Sequence, residues 1–411
     1  MFLSRPSLWT NLDCENKTQA RVYLERSKPL PLNLSLRLYN RQSSHHPFFE
    51  IAPQAIGRLR SMSIKGPLDD LEEISARLSR PAPFLEKLSI CAHSHVEPHL
   101  RPVLTPTLFN GDLSSLRSLR LQAIRTKLPW RNMVNLTSLD MYDTSQDGVC
   151  IRELLDFFES APRLRKVSLR SAMPTSAAQN GRLVSLPCLE RMGISGGGPA
   201  TLLLDHLLIP IGAYLVVEVD LPIKNHPPRF LDNLRNFPNF TDIHLRTNGY
   251  DTHMQFSGPN GQVWMIPRSP RADRTCLVLE SLDQFDTSKV ERLRIDCGDS
   301  PSSDLPYRAL LPMEHLRTLT LHYCANLHTF VRTLHPTMSS SGDVVCPKLD
   351  GLAIACCRTT FDMTSIVEVA AARASRGAKL KSVRIVSRAK FEQNDVLELE
   401  KHVLNVECGP G

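Results

Sequence analysis

One phrase recurs along this chain and constrains it more than any other feature: an apolar residue, two others, an apolar residue, one other, and a third apolar residue. Its first copies are Leu59, Met62 and Ile64; Leu85, Leu88 and Ile90; Leu116, Leu119 and Leu121; Leu136, Leu139 and Met141; Leu164, Val167 and Leu169; and Leu189, Met192 and Ile194. It continues as Val216, Val219 and Leu221; Phe240, Ile243 and Leu245; Val290, Leu293 and Ile295; Leu316, Leu319 and Leu321; Leu349, Leu352 and Ile354; and Leu380, Val383 and Ile385. Successive copies begin 26, 31, 20, 28, 25, 27, 24, 50, 26, 33 and 31 residues apart. The last two apolar residues of each copy are two positions apart, the period of a strand that buries one face. Pro83, Pro162, Pro187, Pro238 and Pro347 each stand two residues ahead of a copy.

A second period lies between the copies. Ile151, Leu154, Leu155 and Phe158 fall at i, i+3, i+4 and i+7, the stripe of an amphipathic helix. Leu327, Phe330, Val331 and Leu334 repeat it, as do Met363, Ile366, Val367 and Ala370, with Leu71, Ile74 and Leu78 as a weaker version. A strand and a helix within one period make a unit whose apolar face only a stacked neighbour can cover. Leucine-rich repeats have this leucine spacing and periods of ~20–29 residues. The sequence therefore predicts an α/β leucine-rich-repeat solenoid with degenerate repeats, parallel strands on the concave face and helices on the convex face. Residues 1–30 read as an edge and linker, and 31–411 as the solenoid. Segments 171–181, 221–229, 247–274 and 335–345 are rich in Pro, Gly, Ser or Asn and read as loops or insertions, with a short extra strand at 263–266.

In such a stack the residues between the apolar positions face outward. Those expected to meet a partner are Lys87, Arg120, Tyr142, Lys166, Arg170, Asp242, His244, Arg246, Arg292, Arg294 and His322, on the concave face. Dispersed charge with Arg and Tyr anchors suits a protein partner.

Composition bounds the rest. With 42% hydrophobic and 22% charged residues, the 411-residue chain has ample apolar content for a core and is not a disordered one. A net charge of +7 over this length is mild, which argues against a dedicated nucleic-acid binder. The eleven cysteines form no Cys-x-x-Cys pair, and the first ten residues lack an apolar signal core, so the expected setting is intracellular, in cytoplasm or nucleus. The most apolar stretch, 207–217, is interrupted by Pro210 and Gly212 and is far short of the ~20 residues of a spanning helix. No membrane association is expected.

Gly193-Ile194-Ser195-Gly196-Gly197 matches the Gly-x-Ser-x-Gly nucleophile elbow, with His206, His226 and His244 downstream, so a serine hydrolase using Ser195 is the enzymatic alternative. A glycine-rich turn after a repeat strand explains the same residues more simply. His93, His95 and His99 lack metal-motif spacing, adjacent Cys356 and Cys357 face opposite sides, and no glycine-rich phosphate loop is present. The expectation is no catalytic residue, no metal and no cofactor.

The ends carry a resemblance. Pro6-Ser7-Leu8-Trp9-Thr10-Asn11-Leu12-Asp13 and Leu24-Glu25-Arg26-Ser27-Lys28, with the C-terminal residues 380–403, resemble fungal (basidiomycete-type) F-box/leucine-rich-repeat proteins. The F-box itself is missing apart from its C-terminal edge. The resemblance implies the substrate-recognition part of an SCF ubiquitin ligase receptor: a non-catalytic array holding a protein substrate on its concave face. It also implies a Skp-type adaptor, with Leu8 and Trp9 as the apolar edge that would touch it. A truncated remnant without function is the remaining alternative.

Overall fold

A computed structural model describes residues 5–13, 16–38, 48–92, 103–104, 108–126, 132–144, 151–170, 182–195, 203–210, 212–220, 240–247, 252–259, 261–268, 279–280, 282, 285–297, 305–324, 327–336, 344–355, 363–387 and 391–409. The chain forms two compact units, Met1–Ala213 and Tyr214–Gly411.

In the first unit, eight strands pair in parallel: β1 (Asn11–Asp13), β2 (Leu32–Arg37), β3 (Leu59–Gly66), β4 (Lys87–Ala92), β6 (Ser118–Gln122), β8 (Ser138–Tyr142), β9 (Lys166–Arg170) and β11 (Arg191–Ser195). Two short parallel pairs stand apart, β5 (Val103–Leu104) with β7 (Arg125–Thr126) and β10 (Val184–Ser185) with β12 (Leu207–Leu208). Helices α1 (Lys17–Arg26), α2 (Phe48–Ala55), α3 (Leu68–Arg77) and α4 (Ile151–Ser160) fill some of the connections. The Asn16 side chain caps α1 by accepting from the Gln19 amide. At the other end of α1, Arg58 donates to Ser27 Oγ at 2.7 Å and to the Leu30 carbonyl at 2.9 Å. Gly66 is obligatory, because a Cβ there would lie 2.6 Å from Leu38 Cβ.

The second unit is mixed in direction. Its strands are β13 (Tyr214–Asp220), β14 (Asp242–Thr247), β15 (Thr252–Gly258), β16 (Gly261–Arg268), β17 (Arg292–Cys297), β18 (Thr318–His322), β19 (Gly351–Ala355), β20 (Ser382–Val386) and β21 (Asn405–Gly409). β14, β15 and β16 pair antiparallel in succession, β13 lies parallel to β16, and β14 leads parallel into β17–β21. The hairpin thus inserts two strands between β13 and β14. Helices α5 (Leu305–Leu310), α6 (Leu327–Thr333), α7 (Met363–Ser375) and α8 (Gln393–His402) alternate with the later strands.

The phrases work through local turns. The Leu85 amide donates to the Ala82 carbonyl, Leu164 to Ala161, Leu189 to Leu186 and Leu349 to Cys346. Each is a turn whose second position is one of the prolines Pro83, Pro162, Pro187 or Pro347, where a fixed φ is favoured. Leucines of the phrases then enter the core: Leu116, Leu119 and Leu121 are all fully buried, each worth roughly 1.5–3 kcal/mol. The copy starting at Val216 departs from this, since β13 buries Leu215 and Val217 and leaves Val216 half-buried on the opposite face.

These observations correct the expected fold. Direction alternates where an all-parallel leucine-rich-repeat solenoid requires one direction, because the β15–β16 hairpin closes by tight reversal instead of a crossover. Among the described residues the connecting helices range from six residues in α5 to thirteen in α7, so they form no regular helical layer there. The segment 247–274, expected to be a loop with a strand of four residues, carries two strands of seven and eight. Each unit is β-sheet with interspersed helices, parallel in the first and mixed in the second, and the residues expected on a concave face lie on a sheet face within each unit.

Candidate functional site

Strand parity decides which side chains leave the core. In the first unit the register places Asp13, Ser35, Ser63, Ser89, Arg120, Asp140 and Ser168 in one row across neighbouring strands. Flanking rows add Lys87, Lys166 and Arg191 on one side and Arg37, Lys65, Tyr142 and Arg170 on the other. The face therefore carries seven cations (Arg37, Lys65, Lys87, Arg120, Lys166, Arg170, Arg191) against two carboxylates, Asp13 and Asp140, an excess of five positive charges. Arg120 approaches Asp140 at 3.5 Å. Lys65, Lys87, Lys166 and Arg170 are exposed and have no ion pair among the described residues. Hydroxyls fill the space between them. The Ser168 hydroxyl is buried and has no hydrogen-bond partner among the described residues.

The second unit presents the opposite arrangement. Arg246, Arg292, Arg294 and Arg384 share a face with Glu218, Asp242, Asp296 and Glu407, so the charges balance. Arg292 grips Asp242 with two nitrogens, the second contact being Nη2 to Oδ2 at 2.9 Å. Burial opposes ionisation of Asp242, but the Arg292 and Thr241 donors outweigh it and hold its pKa below the usual range. Asp296 accepts from Arg294 Nε at 3.0 Å and Nη2 at 3.1 Å, and from His244 Nε2 at 2.8 Å. Burial again opposes, yet these donors hold the Asp296 pKa down to about 2. Arg294 Nη2 also lies 3.1 Å from His322 Nδ1. A guanidinium only donates, so His322 Nδ1 must accept and its ring proton sits on Nε2. Burial first, and then Arg294, lower the His322 pKa, which keeps the ring neutral. His253 packs its ring 5.0 Å from Trp264 and 6.0 Å from His244.

The structure thus separates the expected site residues into two sets. Lys87, Arg120, Tyr142, Lys166 and Arg170 share the face of the first unit; Asp242, His244, Arg246, Arg292, Arg294 and His322 share that of the second. Within the second set Asp242 neutralises Arg292, while Arg294 and His244 are committed to Asp296, which lies outside the set. Sequence reading missed Arg37 and Lys65, whose strands β2 and β3 show the same alternation, and His253 and Trp264 on the hairpin. Alternation at Thr252, Met254 and Phe256, followed by Pro259-Asn260-Gly261, was the available signal for that hairpin.

The enzymatic alternative is corrected here. Ser195 is 4% exposed at the end of β11, paired in register with Arg170. His206 gives its Nδ1 to the Arg182 carbonyl at 2.8 Å and His244 is committed to Asp296, so no serine-hydrolase triad is assembled among the described residues; His226 lies outside them. At the N-terminal edge, Leu8 is 52% exposed, but Trp9 packs edge-on against Tyr23 at 4.9 Å with Arg26 4.6 Å above its ring. The Trp9 ring thereby packs within the unit, while Leu8 stays open to solvent. Among the described residues no group of three or more His, Cys, Asp or Glu could hold a metal; His93, His95, His99, Cys356 and Cys357 lie outside them. Among these residues, too, no helix is long and apolar enough to cross a membrane.

No protein-family model matches the chain, and no curated protein matches it. The resemblance of its ends to F-box/leucine-rich-repeat proteins therefore finds no support in relatives, and the mixed sheet opposes it. The substrate-receptor role in a ubiquitin ligase, with its Skp adaptor and its protein substrate in a concave surface, falls with that architecture.

Proposed function

We propose that this is a non-catalytic protein that binds a linear polyanion across the cation- and hydroxyl-lined face of the first unit. The observation that carries the reading is the excess of five positive charges there, with Lys65, Lys87, Lys166 and Arg170 having no ion pair among the described residues. Neighbouring strands lie ~4.8 Å apart, so cations spread from β2 to β11 span roughly 30 Å, which a small anion cannot bridge. Each cation near a polyanion contributes on the order of 1 kcal/mol, and counter-ion release makes the sum steeply salt-dependent. Tyr142 is the one aromatic residue on these rows, too few for the stacking platforms that hold single-stranded nucleic acid.

Inorganic polyphosphate, with poly-L-glutamate as a second arm, tests the reading by fluorescence anisotropy. Engagement of about four cations predicts roughly 50-fold weaker binding between 50 and 200 mM salt, from a slope of about −0.7 per charge. Substituting Lys87, Lys166 and Arg170 together by Gln should reduce affinity by about 100-fold at low salt, on the order of 1 kcal/mol per charge. Binding of neither polymer at 50 mM salt, or binding indifferent to these substitutions, would sink the proposal.

A further inference from the structure

We propose that a groove at the strand-entry side of the first unit binds a small arylalkyl carboxylate. The groove is about half open to solvent and offers about 360 Å³, and Pro31, Arg60, Pro83, Phe84, Glu86 and Arg117 line it. Its geometry follows from the turns that start the strands. The Glu86 amide donates to the Arg60 carbonyl and the Arg117 amide to the Glu86 carbonyl, both at 2.8 Å, so three charged side chains sit on consecutive rungs. Arg60 Nε meets Glu86 Oε2 at 3.0 Å, and those two charges cancel. Arg117 is exposed and has no side-chain partner among the described residues, which leaves the groove one net positive charge.

Beside that charge stands an apolar surface. Phe84 occupies the turn between Ala82 and Leu85, and both of those neighbours are buried while the Phe84 ring is 61% exposed. The Ser115 hydroxyl donates to the Pro83 carbonyl and fixes the turn that carries the ring. One unpaired guanidinium next to an aromatic ring and two prolines is complementary to one carboxylate joined to one aromatic group. A guanidinium accommodates a carboxylate through two parallel hydrogen bonds, while the ligand ring covers apolar surface that otherwise meets water. None of these residues belongs to the rows assigned to the polyanion, so the two sites stand or fall separately.

The probe is 3-phenylpropionate, followed on the full chain by saturation-transfer NMR and titration calorimetry. Millimolar binding is expected, at least about 10-fold weaker for 3-phenylpropan-1-ol, which lacks the charge, and for butyrate, which lacks the ring. Arg117→Gln should weaken binding about 10-fold and Phe84→Ser about fivefold, the thermal melt serving to verify that each variant is folded. The combined Lys166→Gln and Arg170→Gln variant should leave the phenylpropionate affinity unchanged even where polyphosphate binding is lost. No saturation transfer with the native chain, equal affinity for the alcohol, or full affinity in folded Arg117→Gln would each overturn the assignment.

Discussion

Two buried or half-buried charges set the residue scale. Arg373 on α7 is fully buried: Nη1 donates to the Val345 carbonyl at 2.7 Å and Nη2 to the Cys346 carbonyl at 2.8 Å, while Nε has no hydrogen-bond partner among the described residues. Burial lowers its pKa, and burial pushes the neighbouring Cys346 thiol up to about 12. Arg373→Met removes a costly buried charge but orphans the Val345 carbonyl, whereas the Cys346 carbonyl keeps the Leu349 amide, and the lost hydrogen bonds win. Urea titration should show a loss of about 1–2 kcal/mol. Asp296 makes the other prediction. Its pKa falls from 3.8 to about 2 on folding, so its contribution is complete above pH 4 and is lost as pH drops through about 2. The integral is on the order of 2 kcal/mol, and Asp296→Asn should flatten that acid limb of the stability curve. His322 acts with the same sign at higher pH. Its lowered pKa means the unfolded chain takes the proton first, so stability declines as pH falls below 6.5.

At the scale of elements, the turn-plus-strand phrase was legible because both of its signals are local. Leu164→Ala, which empties a fully buried position, should cost 2–5 kcal/mol in the same titration. Pro162→Ala at the exposed turn should cost at most about 1 kcal/mol, through the unfolded chain. The helices were legible wherever a stripe was continuous: Ile151, Leu154, Leu155 and Phe158 are all buried in α4. In α7 the stripe misled by one contact, burying Val369 and leaving Val367 half-exposed. The β15–β16 hairpin was lost because its Gly, Pro and Asn residues outweighed a period-two alternation of seven residues. Direction could not be read at all. A strand's residues record which face is buried, and they say nothing about whether the neighbour runs with it or against it.

For the whole molecule, the net charge of +7 concealed a distribution. Lys65, Lys87, Lys166 and Arg170 are scattered over more than a hundred residues of sequence and become neighbours only through register, so no charge run announced them. In the second unit the pairing of the charged residues across β14, β17 and β18 depends on long-range contacts that sequence spacing does not contain. Hydrogen exchange with and without polyphosphate should therefore slow amides of β4, β8 and β9 while leaving β17 and β18 unchanged. Protection confined to β17 and β18 would reverse the assignment of the two faces.

The balanced set of four Arg and four carboxylates also bears on what this chain could become. Asp242 and Asp296 each mask an arginine, so Asp242→Asn with Asp296→Asn would unmask two guanidinium groups without adding any new cation. Two carboxylate-to-amide exchanges are a short evolutionary step. They would leave the second unit able to compete for the same anionic cargo as the first.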